Sequence, residues 1–345
     1  MRSALCFILA SLLLSACSTI NYVGIEAYKP AEITFPGGVR KVLVVNNAVP
    51  QRPDSGYEFS LLGLRQDTAR ASADSALFDA CRSLGEFIVE TDYFQDVLLY
   101  HDAIREDNSY LSDARLDMEA IRLLCEANGA DAVISLDRLL FNMNKNVIAL
   151  PEGILLGTIL VKMGGVIRTY LPDRENALAT VLISDSLYWE EAGMDMRQLD
   201  SFLPQPDEAL RTAGKFIGEI AYPNFVPHWR NEIRWYFSKG TSAWRTAAAY
   251  ATSERWDLAE ELWRTIHEQT NNGSSKAKSA SNIALSLEMK GKIEEAYEWA
   301  EKSLALFEKS EKKESRDYQL LSQYVLTLKE RVLEDRKLNV QFGGE

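Results

Sequence analysis

The sequence predicts an α+β protein: an N-terminal α/β, sandwich-like domain with a mixed sheet, followed by an all-α region of helical hairpins. Three observations predict it. Short β-branched apolar runs alternate with amphipathic helical segments between residues 39 and 136. The apolar stretch 147–170 reads as long strands paired with a following strand, Ala177 to Trp189. Six of the seven tryptophans lie between 229 and 299, where small and large residues recur at a fixed spacing.

The first strand is Val39 to Val45, entered from Gly37-Gly38 and followed by a polar stretch with Pro50 and Pro53. The spacing of Ala69, Ala73, Ala76, Ala80, Cys81 and Leu84 predicts a helix over about 66–84, with Gly85 as its stop. A strand follows near 86–90 or 94–100. Asp117 then caps a helix carrying Met118, Ile121, Leu124 and Cys125 on one face, and Asn128-Gly129 ends it. Ala132 to Leu136 begins the next strand at once, so helices pack on a sheet.

Within 147–170, Glu152, Lys162, Arg168, Pro151 and Gly164-Gly165 argue against a transmembrane helix and for long strands. The expectation is a well-covered sheet; the alternative is a hairpin that touches a membrane or a partner. Ala209, Leu210, Ala213, Phe216, Ile217 and Ile220 define a helix over 206–222. Beyond it, Pro223 and Pro227 punctuate a Trp-rich junction containing His228-Trp229-Arg230 and Arg234-Trp235-Tyr236-Phe237. This junction is expected to dock the helical region on the first domain, its tryptophans serving as core.

At the other end of the chain, Arg2, the apolar run Ala4 to Leu14 and Leu14-Ser15-Ala16-Cys17 have the layout of a secretory signal too short to span a bilayer. With cysteine at the cleavage point, it resembles the bacterial lipoprotein signal. That resemblance implies that residues 1–16 are removed and that Cys17 becomes an acylated N-terminus, palmitate included, anchored firmly by several chains. Ser18 follows where an inner-membrane retention signal would have Asp, and Ser18 to Tyr22 is not an acidic surface-export run. The periplasmic face of the outer membrane is the expected location. Residues 17–36 read as a tether, 37–222 as the α/β domain, and 223–339 as the junction with the helical region.

That region resembles the tetratricopeptide repeat. Ala247, Tyr250, Trp256, Ala259 and Trp263 take its small and large positions, and Ala284, Leu287, Ala296 and Ala300 repeat them around Gly291 at a turn. Ala259 and Ala296 are 37 residues apart, against a usual period of about 34. A helix over about 315–336 would cap the pair.

A formal net charge of −12 argues against nucleic-acid binding. Cys81 and Cys125 sit among apolar residues and read as buried thiols. His101, His228 and His267 are scattered, and neither a metal-ligand spacing nor a nucleophile, phosphate or dinucleotide motif occurs, so no catalytic residue, cofactor or metal is assigned. The acidic pairs Glu190-Glu191 and Glu294-Glu295 read as solvated surface.

Several stretches carry a further likeness: Lys29 to Ile33 leading through Pro36 to Val42–Asn47, Arg168 to Asp173, Ala213-Gly214 leading to Pro227-His228-Trp229, Arg234 to Phe237, and the repeat around Trp256. In these the chain resembles uncharacterised Bacteroidetes outer-membrane lipoproteins with C-terminal tetratricopeptide repeats. Gly129 to Ile134 within the β/α order also resembles the periplasmic domain of curli-export-type lipoproteins. The expected role is a non-enzymatic interaction or envelope-assembly module that holds an envelope protein or peptide. A cell-envelope hydrolase or polymer-binding enzyme, and an oligomeric export component, are the alternatives.

Overall fold

The computed structural model describes residues 20–66, 70–310, 313 and 315–343; Cys17 and its signal lie outside them. The fold class is the mixed α+β arrangement that the sequence predicts, divided into two compact units. One is Ala31–His228, and the other joins the stretch through Pro30 to Trp229–Glu345.

Seven strands form the sheet of the first unit: β2 (Lys41–Asn46), β3 (Tyr57–Leu61), β4 (Leu64–Gln66), β5 (Asp96–Ala103), β6 (Ala132–Ala149), β7 (Leu155–Tyr170) and β8 (Ala179–Gly193). β2 lies parallel between β5 and the first part of β6. β3 lies parallel to the later part of β6, and the long β6, β7 and β8 run antiparallel. One edge of β6 therefore serves β2 through residues 132–136 and β3 through residues 143–147.

The register of β6 against β7 shifts between Leu136 and Arg138, leaving Asp137 as an inserted residue. Ahead of it, Ala132, Ile134 and Leu136 enter the main core; after it, Leu139, Phe141, Met143 and Val147 do. The inserted residue thus changes which parity of β6 faces inward.

Helix α1 (Asp74–Glu90) and helix α4 (Pro206–Ala221) cover the main-core face, and α2 (Met118–Asn128) packs Ile121 and Cys125 on the other. The short α3 (Met196–Phe202) sets Leu199 against the β7–β8 end. α1 starts later than the sequence predicts and passes through Gly85, the expected stop. A Cβ at Gly85 would meet Val97 and Val44 only at ordinary van der Waals distances, 3.9 and 4.0 Å, so the helix faces the sheet there without needing a glycine. α2 matches expectation: the Asp117 carboxylate accepts from Ala120 N–H, and Gly129 closes the helix at φ 64°. α1 and α4 meet along a seam of small residues, where a Cβ on Gly214 or Gly218 would strike the Ala76 carbonyl or the Leu84 amide.

Among the described residues, the second unit contains β1 (Ile20–Lys29), β9 (His228–Phe237) and five helices: α5 (Ser242–Thr252), α6 (Trp256–Gln269), α7 (Gly273–Met289), α8 (Ile293–Ser310) and α9 (Arg316–Gln341). Two expectations are corrected here. The tether contains a ten-residue strand, β1, whose Ile25 and Ala27 are buried and which pairs with β9. The Trp-rich junction is itself largely that partner strand, with Tyr236 and Phe237 buried. Asn21 bonds to Tyr236 and Ser238 while Tyr28 packs on Trp229, so the two strands run antiparallel.

Candidate functional site

In an open α/β sheet, ligands gather at the carboxyl ends of the parallel strands, where successive crossovers diverge. Here that place lies between β2 and β6, and the protein's own groups fill it. Asp137 is fully buried. It accepts hydrogen bonds from Ser135 Oγ (2.6 Å), Arg168 Nη1 (2.7 Å), Asn47 Nδ2 (3.0 Å) and Tyr170 Oη (3.0 Å). Arg168 also holds the Asp113 carboxylate at 2.7 Å. That bond keeps the Asp113 carboxyl below its ordinary pKa, and burial followed by the Asp137 charge pushes the Tyr170 phenol up. Every oxygen of Asp137 is occupied, so this network fastens β2, β6 and β7 together.

The open cleft lies one strand away, at the carboxyl ends of β2 and β5 and over the first turns of α1. It measures about 410 Å³ and is lined by groups that include Asn46, Asp74, Phe78, Asp79, Arg82, His101, Asp102 and Arg211. Its floor is Asp79, only 3% exposed. One carboxylate oxygen accepts from Arg82 Nη2 at 2.9 Å and the other from Arg211 Nε at 2.8 Å. The two arginines come from α1 and α4, and the Asp79 bond raises the Arg211 guanidinium above its ordinary pKa. Among the described residues, Arg82 Nη1 and both Nη atoms of Arg211 carry no protein hydrogen bond. The Phe78 and His101 rings lie 6.5 Å apart at 27° and form one wall. Asp74 and Asp102 complete the rim, so the cleft offers both signs of charge. Such a floor suits a segment whose acidic group takes the arginine forks and whose basic group meets the rim carboxylates.

On the opposite face, Tyr100, Ile104, Leu123 and Leu124 line an apolar hollow of about 390 Å³. In the second unit, buried Glu288 accepts from Arg234, Arg331 and Tyr324 and ties β9 to α7 and α9. No group of three or more His, Cys, Asp or Glu suited to a metal ion occurs among the described residues.

The chain belongs to the family described as a domain of unknown function, DUF8603.

The DUF8603 span, residues 39–237, includes the cleft and the Asp137 network. A second family model, a domain of unknown function called DUF6340, matches residues 245–330. No curated protein matches the chain. Among solved structures the chain is similar to the PelC dodecamer from Paraburkholderia phytofirmans, at 12% identity over 59% of this chain and 97% of that one. The TM-score of 0.22 makes that superposition too loose to carry an argument.

Of the residues singled out in sequence, Ala247, Ala259, Trp263, Ala284 and Ala296 are fully buried between helices of the second unit. Tyr250 and Trp256 are half-buried against that core, and Gly291 is an exposed turn at φ 73° between α7 and α8. These residues form a packing core, and the cleft uses none of them. Cys81 and Cys125 are buried free thiols, pushed by burial up to about 12 and about 11. His101 lines the cleft, whereas His267 is buried with Nδ1 2.9 Å from the Lys276 carbonyl. Sequence reasoning passed over Asp79, Arg82 and Arg211. The available signal was Asp79 itself, a carboxylate set among the small residues Ala76, Ala80 and Ser83 on one helical face.

Proposed function

We propose that this protein is an outer-membrane lipoprotein, anchored through Cys17 and facing the periplasm, that acts as a non-enzymatic interaction module for an envelope protein or peptide. Its cleft at the ends of β2 and β5 takes a partner segment carrying both charge signs. The observation that carries this reading is the pair of arginines held on buried Asp79, with three nitrogen atoms left over at an open cleft. Arginine forks fixed in advance lose little freedom on meeting a carboxylate, which favours recognition over chemistry. The tetratricopeptide-like helices of the second unit form a rigid companion surface in the same reading.

The test is cross-linking and pull-down of the anchored protein from envelopes, beside the paired substitution Arg82→Lys and Arg211→Lys. Lysine keeps a positive charge for Asp79 and removes the planar fork. A partner recovered with the native chain and lost with the substituted one supports the proposal. A partner set unchanged by the substitutions, or no reproducible partner, refutes it.

A second reading, self-association as an oligomeric envelope component, is favoured by β8. This fifteen-residue strand pairs only with β7 among the described residues, and Leu182 and Tyr188 stand exposed on it. An uncovered strand edge is a template for pairing with another chain. Sedimentation of the detergent-solubilised, lipidated protein as a monomer at all concentrations would remove this reading.

A further inference from the structure

The β1–β9 ribbon carries an exposed aromatic face that the proposed interaction role does not use. Along β1, Ile25 and Ala27 are buried, and Tyr22, Glu26 and Tyr28 lie on the other face, Tyr22 and Glu26 exposed and Tyr28 half-buried. Along β9, Arg234 and Tyr236 are buried while Trp229 and Ile233 are exposed; Trp235 and Phe237, of the latter parity, are covered by the helical core. The ring centroids of Tyr28 and Trp229 lie 4.8 Å apart, so the two outward sets share one face. Phe342, just beyond α9, extends it, with its ring 6.1 Å from Tyr28. Exposure is high for solvent-facing apolar side chains: Tyr22 61%, Trp229 66%, Ile233 74% and Phe342 59%.

The position of this face along the chain names its occupant. Only Ser18 and Thr19 separate Cys17 from Ile20, three residue steps that reach about 11 Å when fully extended. If acyl chains on Cys17 sit in a bilayer, the start of β1 cannot leave the headgroup layer. From there Tyr22 and Tyr28 spread the face over about 20 Å of strand. Tryptophan and tyrosine, with an apolar body and a polar tip, are the side chains that settle at the boundary between headgroups and acyl chains. A protein of formal net charge −12 gains nothing from attraction to anionic lipid, so the contact must be apolar and aromatic.

We infer that the outer face of the β1–β9 ribbon, centred on Tyr22, Tyr28, Trp229 and Ile233, rests on the phospholipid surface next to the anchor and fixes how the second unit stands on the membrane. The inference rests on the proposed acylation of Cys17. A lipid chain and a strand face together would replace a swinging tether with a seated attachment.

The experiment uses the full lipidated chain in vesicles of phosphatidylethanolamine and phosphatidylglycerol, with and without brominated phosphatidylcholine. Mass spectrometry of the N-terminal peptide is run on the same preparation. Bromolipid is expected to quench part of the tryptophan fluorescence, and Trp229→Phe is expected to lose that quenchable part. As a second reporter, Ile233→Cys carries a nitroxide, since Cys81 and Cys125 are buried. Its collisions with oxygen should rise and those with a water-soluble nickel chelate fall, relative to a label at exposed Glu298. An acylated Cys17 with unquenched Trp229 and a water-exposed label at 233 overturns this inference and leaves the anchor standing. An unacylated Cys17 overturns the anchor, and the inference with it.

Discussion

Asp137 and Arg168 face each other from neighbouring strands at 2.7 Å, and the carboxylate of the pair sits on the one inserted residue of β6. The irregularity and the ion pair explain each other. The insertion switches which parity of β6 enters the main core, and Asp137 is anchored there by four donors from Asn47, Ser135, Arg168 and Tyr170. Neutralising it leaves a buried guanidinium facing an amide. Asp137→Asn should destabilise the first unit by about 3–5 kcal/mol, the usual loss on breaking a buried pair from one side. Chemical denaturation checks this, and a loss below 1 kcal/mol would mean that the pair behaves as a surface bridge.

The seam between α1 and α4 gives a prediction of definite sign. Alanine is favoured over glycine in a helix interior by about 1 kcal/mol. At Gly218, however, a Cβ would meet the Leu84 amide and Ser83. Gly218→Ala should therefore destabilise the protein by about 1–3 kcal/mol, as overpacking does. A stabilised variant in thermal unfolding would show that the helices stand further apart.

Stability should fall on mild acidification because of His267. Burial depresses its pKa, and its ring is wedged edge-on to Trp299 at 5.2 Å. The unfolded chain takes up a proton near the ordinary value of about 6.5, where the folded chain resists it. This contribution is complete above that pH and declines as pH drops toward the folded pKa. Denaturation midpoints between pH 7.5 and 5 should fall less steeply for His267→Gln; equal slopes would count against it.

Both described thiols should be silent in the native state. Burial pushes Cys81 up to about 12 and Cys125 up to about 11, so little thiolate exists near neutrality. A disulfide-exchange reagent at pH 8 should titrate them only after denaturant is added. Rapid native reaction at either thiol would contradict the packing.

Much of the first unit was legible because its elements carry strong local signals. Val42 to Val45 has no polar interruption, Asp117 and Gly129 bracket their helix, and the run from Ala179 is rich in β-branched and aromatic residues. What was missed needed partners distant in sequence. Nothing in Ile20 to Lys29 shows that its strand mate lies about two hundred residues later in β9, so the segment read as a tether. Gly85 looked like a helix stop, but the helix runs on through it to Glu90, and Gly85 is buried in a packing that the local sequence does not reveal. The cleft arises the same way: Asp79 and Arg82 are neighbours on a helix, but Arg211 joins them from 132 positions away. The repeat-like positions were readable as packing, and packing says little about what a surface binds.

The most direct test of the proposed role places a photo-cross-linking residue at Ser75, an exposed position on the cleft rim, in the Cys17-anchored protein within intact envelopes. The account predicts one discrete cross-linked partner. Its yield should fall about tenfold with Arg211→Lys, the loss expected when a charged hydrogen bond worth about 1.5 kcal/mol is removed. A product of equal yield from the native and substituted chains, or none from either, would contradict it.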